Sequence, residues 1–209
     1  MPHPLLKGLY LLLDPAACGS RRLIDVLKEA ADHGVRLFQY RDKQASMREA
    51  YQRGTELRRA AADAGALLIV NDRCDLALAI EADGAHVGQT DLPLAEARSL
   101  LGRDKILGLS THTPEHVTTA AERWPDYIAY GPIFATTTKP DHEAVVGIQG
   151  LRQIRQRVSV PLFAIGGIAT GHVSDILGAG ADGVAVCSAI LQAPDLGRAV
   201  DAFMRQFRQ

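Results

Sequence analysis

The chain has 209 residues, enough for one large hydrophobic core and too few for two ordinary domains, so a single domain over residues 1–209 is predicted. Hydrophobic residues make up 47% and charged residues 22%, a balance that excludes a disordered or collagen-like chain. Lys and Arg number 23 against 24 Asp and Glu, so no global charge favours a nucleic acid or an anionic membrane, and any bound anion needs a local site.

The first apolar run, Leu9–Leu13, is too short to span a bilayer and has no cleavage-site pattern beside it; it predicts a strand. Beyond it, short runs rich in Val, Ile and Leu alternate with longer segments whose apolar residues recur every three or four positions. Strands are predicted at Leu9–Leu13, Val35–Tyr40, Leu67–Asn71, Ala85–Gly88, Ile106–Ser110, Tyr127–Tyr130, Leu162–Ile165 and Gly183–Val186. Helices are predicted at Arg21–Asp32, Met47–Ala64, Asp75–Ile80, Leu94–Leu101, Pro114–Arg123, Ile148–Arg157, His172–Leu177 and Asp195–Phe207. Pro93 and Pro114 suit first helical turns, and Gly34 and Gly65 suit left-handed helix ends. Eight strand–helix units joined by right-handed crossovers close into a (β/α)8 TIM barrel, whose strands are buried on both faces. An open doubly wound sheet would need fewer strands. The stretch from Gly131 to Gly147 is long and non-periodic, the mark of a functional or mobile loop.

The three cysteines, Cys18, Cys74 and Cys187, are odd in number and form no Cys-x-x-Cys pair. They argue against a disulfide framework or a cysteine-rich zinc site and fit a reducing cytoplasm. His112 and His116 are four apart with Pro114 between them and no third metal ligand in view, so zinc is disfavoured.

In a TIM barrel the chemistry sits at the carboxyl ends of the strands, so polar residues directly after apolar runs are the informative ones. After the second strand come Gln39, Arg41 and Lys43, whose period of two would place an amide and two cations on one side of an extended segment. Such a set suits a diphosphate; its bland alternative is a solvated strand exit paired with Asp42 or Glu49. Asp72 follows the third strand and Asp91 the fourth, and together they could share Mg2+, which takes few carboxylates and keeps water and phosphate oxygens. Either aspartate alone could be a helix cap. Ser110 could donate to a phosphate or cap the next helix, and Thr136 to Lys139 offer hydroxyls beside a cation. Gly166-Gly167 and Cys187-Ser188 follow the last two strands, where such barrels hold a monophosphate on backbone N–H groups. Cys187 has no histidine placed beside it by sequence and reads as packing rather than as a nucleophile. The sum is one site for a metal-bound diphosphate and a monophosphate.

Six segments in order, Gln39-Tyr40-Arg41-Asp42-Lys43, Asn71-Asp72-Arg73, Gly88-Gln89-Thr90-Asp91, Gly108 to Thr113, Gly131-Pro132-Ile133-Phe134 with Thr136 to Lys139, and Ile165-Gly166-Gly167-Ile168, resemble the thiamine phosphate synthase family, and the resemblance spans nearly the whole chain. It implies a transferase that joins hydroxymethylpyrimidine diphosphate to a thiazole monophosphate. It further implies Mg2+ on Asp72 and Asp91, and Gln39, Arg41, Lys43, Asn71, Ser110 and Lys139 around the pyrimidine and its diphosphate. Among these, Arg41, Lys43, Ser110 and Lys139 carry the catalysis. Thr136 and Thr138 would approach the thiazole, and Gly167, Cys187 and Ser188 its phosphate. The family's mechanism is dissociative, with diphosphate leaving before the thiazole nitrogen attacks. Two rivals share the barrel: a thiazole tautomerase, whose motif has histidine where this chain has Pro132, and a phosphate-ligand sensor without chemistry. Tyr40, between the Gln and Arg, and Leu13-Asp14-Pro15 depart from the family pattern, and Tyr40 is expected to point away from Gln39.

Overall fold

A computed structural model of the chain describes residues 2–121, 125–136 and 144–208. Eight parallel strands, β1 (Gly8–Leu13), β2 (Leu37–Tyr40), β3 (Leu67–Asn71), β4 (Gly84–Val87), β5 (Ile106–Thr111), β6 (Tyr127–Tyr130), β7 (Leu162–Ile165) and β8 (Gly183–Val186), form a closed barrel in sequence order. β8 pairs back onto β1 with Gly8 beside Gly183, so no edge strand remains. The helices are α1 (Pro15–Cys18), α2 (Leu23–Asp32), α3 (Met47–Asp63), α4 (Cys74–Ala79), α5 (Leu94–Leu101), α6 (Pro114–Ala121), α7 (Gly147–Arg155), α8 (Val173–Gly178), α9 (Ser188–Leu191) and α10 (Leu196–Met204). None of the helices among the described residues is long and apolar enough to cross a membrane.

The TIM barrel expected from the alternation of apolar runs is the observed fold, with differences at its boundaries. β2 begins at Leu37 rather than Val35, because the Val35 N–H bonds back to the Ala30 carbonyl and completes the turn at Gly34, whose φ is 97°. α2 begins at Leu23 rather than Arg21; the Arg21 guanidinium instead ties down the carbonyls of Leu191, Ala193 and Pro194 beyond the last strand. α1 and α9 are single turns at the exits of β1 and β8 that the periodicity did not reveal.

Strand alternation divides the core in two. Phe38, Tyr40, Leu68, Val70, Leu107 and Leu109 face outward under the helices, while Tyr10, Leu12, Leu37, Ile69, Ile106, Tyr127 and Phe163 fill the barrel. Tyr10, Tyr127 and Phe163 pack edge to face with centroids 5.4 to 5.8 Å apart.

One device recurs three times at the amino-terminal end of the barrel. Asp83, Asp126 and Asp182, each just before an even-numbered strand, accept the N–H of Leu68, Leu107 and Leu162 in the preceding odd strand at 2.7 to 2.8 Å. Each is paired with an arginine from an earlier helical segment: Arg58 with Asp83 at 3.4 Å, Arg98 with Asp126 at 2.6 Å and Arg155 with Asp182 at 2.9 Å. These carboxylates satisfy backbone donors that the barrel buries, at the face opposite the strand exits. Asp126→Ala is therefore expected to lower unfolding stability by about 1 to 3 kcal/mol, the cost of an unmet buried donor, with no change in any activity at the opposite face. Urea unfolding monitored by circular dichroism, beside a turnover assay, checks both halves of the statement.

Candidate active site

The exits of β1 and β2 are joined by an ion pair. Arg41 directly follows β2, its N–H bonds to the Leu13 carbonyl, and its guanidinium holds the carboxylate of Asp14, which directly follows β1. Asp14 is buried and also accepts the Ala16 N–H at 2.9 Å, capping α1 at a Pro15 start. Gln39 and Arg41 both face the barrel axis, but Lys43 lies in a bend beyond the extended segment on which the sequence places it with them. Gln39 points into the barrel, where its amide donates to Tyr10 Oη at 2.8 Å. Arg41 reaches the mouth beside Asp14, and Lys43 reaches Asp72, Nζ to Oδ2 3.1 Å. Tyr40 packs outward under the helices, away from Gln39. Asp42, offered by the sequence as a partner for these cations, is taken by Arg53 and by the N–H groups of Gln44 and Ala45.

Asp72 and Asp91 come together. Neither caps a helix: α4 is preceded by Arg73 and α5 by Pro93, and neither helix has a side-chain cap. Asp72 has φ 61°, its N–H bonds to the His86 carbonyl of β4, and the Arg73 N–H closes on the Asn71 carbonyl at 2.7 Å. That is a tight three-residue turn in the left-handed region, costly for a residue with a side chain and characteristic of functional sites. Asp91 Oδ2 accepts the Gly88 N–H at 2.7 Å. Burial, with the neighbouring Asp72 carboxylate acting in the same direction, holds the Asp91 carboxyl above the usual range, against the opposing pulls of the Gly88 N–H and Lys43. Two carboxylates so placed are relieved by a shared divalent cation, and the oxygen ligands suit Mg2+. Asn71 ends β3 directly before this turn.

Ser110 lies near the end of β5 and does not cap α6, whose first turn is held by Thr113 Oγ1 accepting the His116 N–H. Its Oγ meets His86 Nε2 at 2.8 Å, and Gln89 donates to its carbonyl at 2.6 Å. A cavity of about 440 Å3 opens at the strand exits, lined by Asp14, Arg41, Ser110, His112, Pro132, Thr136, the 165–169 turn and residues 185–189. The predicted phosphate residues Gly167, Cys187 and Ser188 all line it. Gly166 and Gly167 take φ 97° and 63°, and a Cβ on Gly167 would collide with the Ala135 carbonyl and Phe134, so only glycine lets this turn lie against the β6 exit. Burial, with Asp14 adding to it, pushes the Cys187 thiol up to about 12, which keeps it protonated and unsuited to nucleophilic attack.

The strand exits thus place Arg41, Ser110, Thr136, Gly167, Cys187 and Ser188 around one cavity, and they bring Lys43, Asp72 and Asp91 together. Thr138 and Lys139 lie outside the described residues. Asp14 and His112 also line the cavity, and the sequence reading gave neither a part in this site. Asp14 met the rule used elsewhere, a polar residue directly after an apolar run. His112 is fixed at the mouth by its Nδ1 on the Gly131 carbonyl at 2.7 Å.

Residues 9–190 match the protein-family model described as thiamine monophosphate synthase. The chain is 48% identical over 200 residues to the thiamine-phosphate synthase of Chloroflexus aurantiacus, covering 96% of this chain and 90% of that protein. It is 42% identical over 196 residues to the thiamine-phosphate synthase of Methanospirillum hungatei, covering 94% and 95%. The solved structure of thiamine phosphate pyrophosphorylase from Pyrococcus furiosus superposes with a TM-score of 0.88 at 32% identity, covering 97% of this chain and 96% of that one.

Proposed function

The chain belongs to the thiamine monophosphate synthase family, and from that premise we propose that it is a transferase joining hydroxymethylpyrimidine diphosphate to thiazole phosphate, with thiamine phosphate and diphosphate as products. The observation that carries this reading is the union, at one barrel mouth, of a cation-and-carboxylate group with a cavity lined by the Gly166–Gly167 turn and residues 185–189.

Asp72 and Asp91 would hold Mg2+, which when bound neutralises charge on the diphosphate and so makes it a better leaving group. The chain's own residues do the rest. Arg41, Lys43 and Ser110 surround the diphosphate, with Lys139 as a further cation, and stabilise negative charge growing on the bridging oxygen as its bond to the pyrimidine methylene breaks. The bonding pair leaves with diphosphate, and the methylene cation is stabilised by the pyrimidine ring held between Gln39 and Asn71. Thr136 and Thr138 orient the thiazole, and Gly167, Cys187 and Ser188 hold its phosphate largely through backbone groups. The thiazole nitrogen then donates its free lone pair to the methylene carbon, forming the C–N bond. No proton has to be removed from that nitrogen, which agrees with a pocket whose one lining thiol stays protonated.

Pro132, in the place where the tautomerase motif has histidine, disfavours tautomerase chemistry. Expression in a bacterial strain lacking its own thiamine phosphate synthase tests the reading: growth without added thiamine is expected, and growth only with thiamine would contradict it. Gly167→Ala is expected to raise KM for thiazole phosphate by about tenfold or more, with a smaller change for the pyrimidine diphosphate, because the added methyl displaces the turn that cradles the monophosphate. Steady-state kinetics with each substrate varied in turn reads the split.

A further inference from the structure

Five polar side chains from five strands form an unbroken chain across the barrel interior. Gln39 Nε2 donates to Tyr10 Oη at 2.8 Å, Tyr10 Oη meets Tyr127 Oη at 2.7 Å, Tyr127 Oη meets His86 Nδ1 at 2.9 Å, and His86 Nε2 meets Ser110 Oγ at 2.8 Å. Tyr10, Tyr127, Gln39 and His86 are buried, and the tyrosines sit in a cluster of apolar residues. The crossing depends on Gly108 in the middle of β5: a Cβ there would run into the Tyr127 ring and hydroxyl and into His86 Nδ1. One end, Ser110, lines the cavity and the other, Gln39, is given to the pyrimidine by the function proposed above, whereas the two tyrosines have been given no part in it.

The proton order of the chain follows from its first member. An amide nitrogen only donates, so Tyr10 Oη accepts from Gln39 and must place its own proton on Tyr127 Oη, or leave a buried donor unmet. Tyr127 then passes its proton to His86 Nδ1, His86 carries its ring proton on Nε2 and donates to Ser110 Oγ, and the Ser110 proton is the one left to point into the cavity that Ser110 lines. With the opposite order, Ser110 would spend its proton on His86 and face a phosphate with lone pairs alone.

We propose that Tyr10 and Tyr127 are positioning residues of the transferase, which through His86 hold Ser110 as a hydrogen-bond donor toward the diphosphate and fix the carboxamide of Gln39 toward the pyrimidine. The role in turnover rests on the function proposed above; the proton order does not. The two tyrosines act on different ends. Loss of the Tyr127 hydroxyl removes the donor at His86 Nδ1 and with it the support for the tautomer that donates to Ser110. Loss of the Tyr10 hydroxyl leaves Tyr127 still able to serve His86 and removes one of the two phenols that the Gln39 amide meets.

The test uses the full chain in three parts. Nitrogen-15 NMR of histidine-labelled protein is expected to show His86 with its proton on Nε2; a proton on Nδ1 overturns the proposal whatever the enzyme does with substrate. In steady-state assays Tyr127→Phe is expected to lower kcat by about tenfold, the effect of one hydrogen bond, and to cause no further loss in a Ser110→Ala background. Tyr10→Phe is expected to raise KM for the pyrimidine diphosphate with kcat close to the parent value. Parent-like kinetics in Tyr127→Phe, or losses that multiply in the Tyr127→Phe/Ser110→Ala double variant, would overturn it. Thermal melts of every variant separate these effects from loss of fold, and a parent protein that makes no thiamine phosphate would overturn the functional reading and leave the His86 measurement standing.

Discussion

Replacing Arg41 with alanine is expected to lower turnover by roughly 100- to 1,000-fold, the usual loss when one preorganised donor to developing negative charge is removed. Arg41 is fixed before substrate arrives: its backbone N–H is tied to β1 and its guanidinium to Asp14, so little reorganisation is needed when diphosphate departs. The same arrangement carries a structural cost. Without Arg41 the buried Asp14 carboxylate keeps the Ala16 N–H but loses its cation, so Arg41→Ala should also lose about 1 to 3 kcal/mol of stability. The double variant Asp14→Asn/Arg41→Ala is expected to recover most of that stability and none of the turnover. Urea unfolding and steady-state kinetics on the three proteins separate the two roles. Turnover restored together with stability would mean that Arg41 matters only as the partner of Asp14.

Asp91→Asn is expected to show the opposite combination. Burial and the adjacent Asp72 carboxylate disfavour the charged form of Asp91, so neutralising it should leave the metal-free protein as stable as the parent or more so, while the amide oxygen can still accept the Gly88 N–H. Turnover should fall at least about a hundredfold, because the variant loses half of the carboxylate pair that a divalent cation needs, and a metal that neutralises a leaving group is worth several kcal/mol. Added Mg2+ should raise the Tm of the parent protein, since a ligand that binds only the folded state stabilises it, and should leave the Tm of the variant nearly unchanged. A variant that is less stable without metal yet turns over normally with it would show that the pair is structural. Asp72→Asn should behave alike in turnover, with the added effect that Lys43 loses its partner.

The parts of the molecule legible in the sequence are those written in short-range pattern. Eight apolar runs gave eight strands within two residues at either end, because strands buried on both faces need continuous hydrophobicity. Polar residues after those runs located Arg41, Ser110 and the Asp72–Asp91 pair, because strand exits converge only at one end of a parallel barrel. Some of the features that escaped require closure of the barrel. His86 sits in an ordinary-looking Ala85-His86-Val87 strand, and only when β1, β2, β4, β5 and β6 are brought round one axis does it stand between Tyr127 and Ser110. The three aspartates at the opposite face are likewise separated in sequence, by 43 and 56 positions, and share no motif beyond a carboxylate before a strand. α1 and α9 have four residues each, too few to show a helical period. The Asp72 turn depends on a positive φ that nothing in Asn71-Asp72-Arg73 announces.

The measurement that bears most directly on the synthesis proposed here is a phosphorus-31 NMR time course of the purified protein with hydroxymethylpyrimidine diphosphate and thiazole phosphate, run with Mg2+ and again with excess chelator. With Mg2+, the thiazole phosphate resonance should give way to that of thiamine phosphate as free diphosphate appears in a one-to-one ratio, and with chelator neither should change. Diphosphate released without thiamine phosphate, or a spectrum that stays constant with Mg2+ and folded protein, would contradict it.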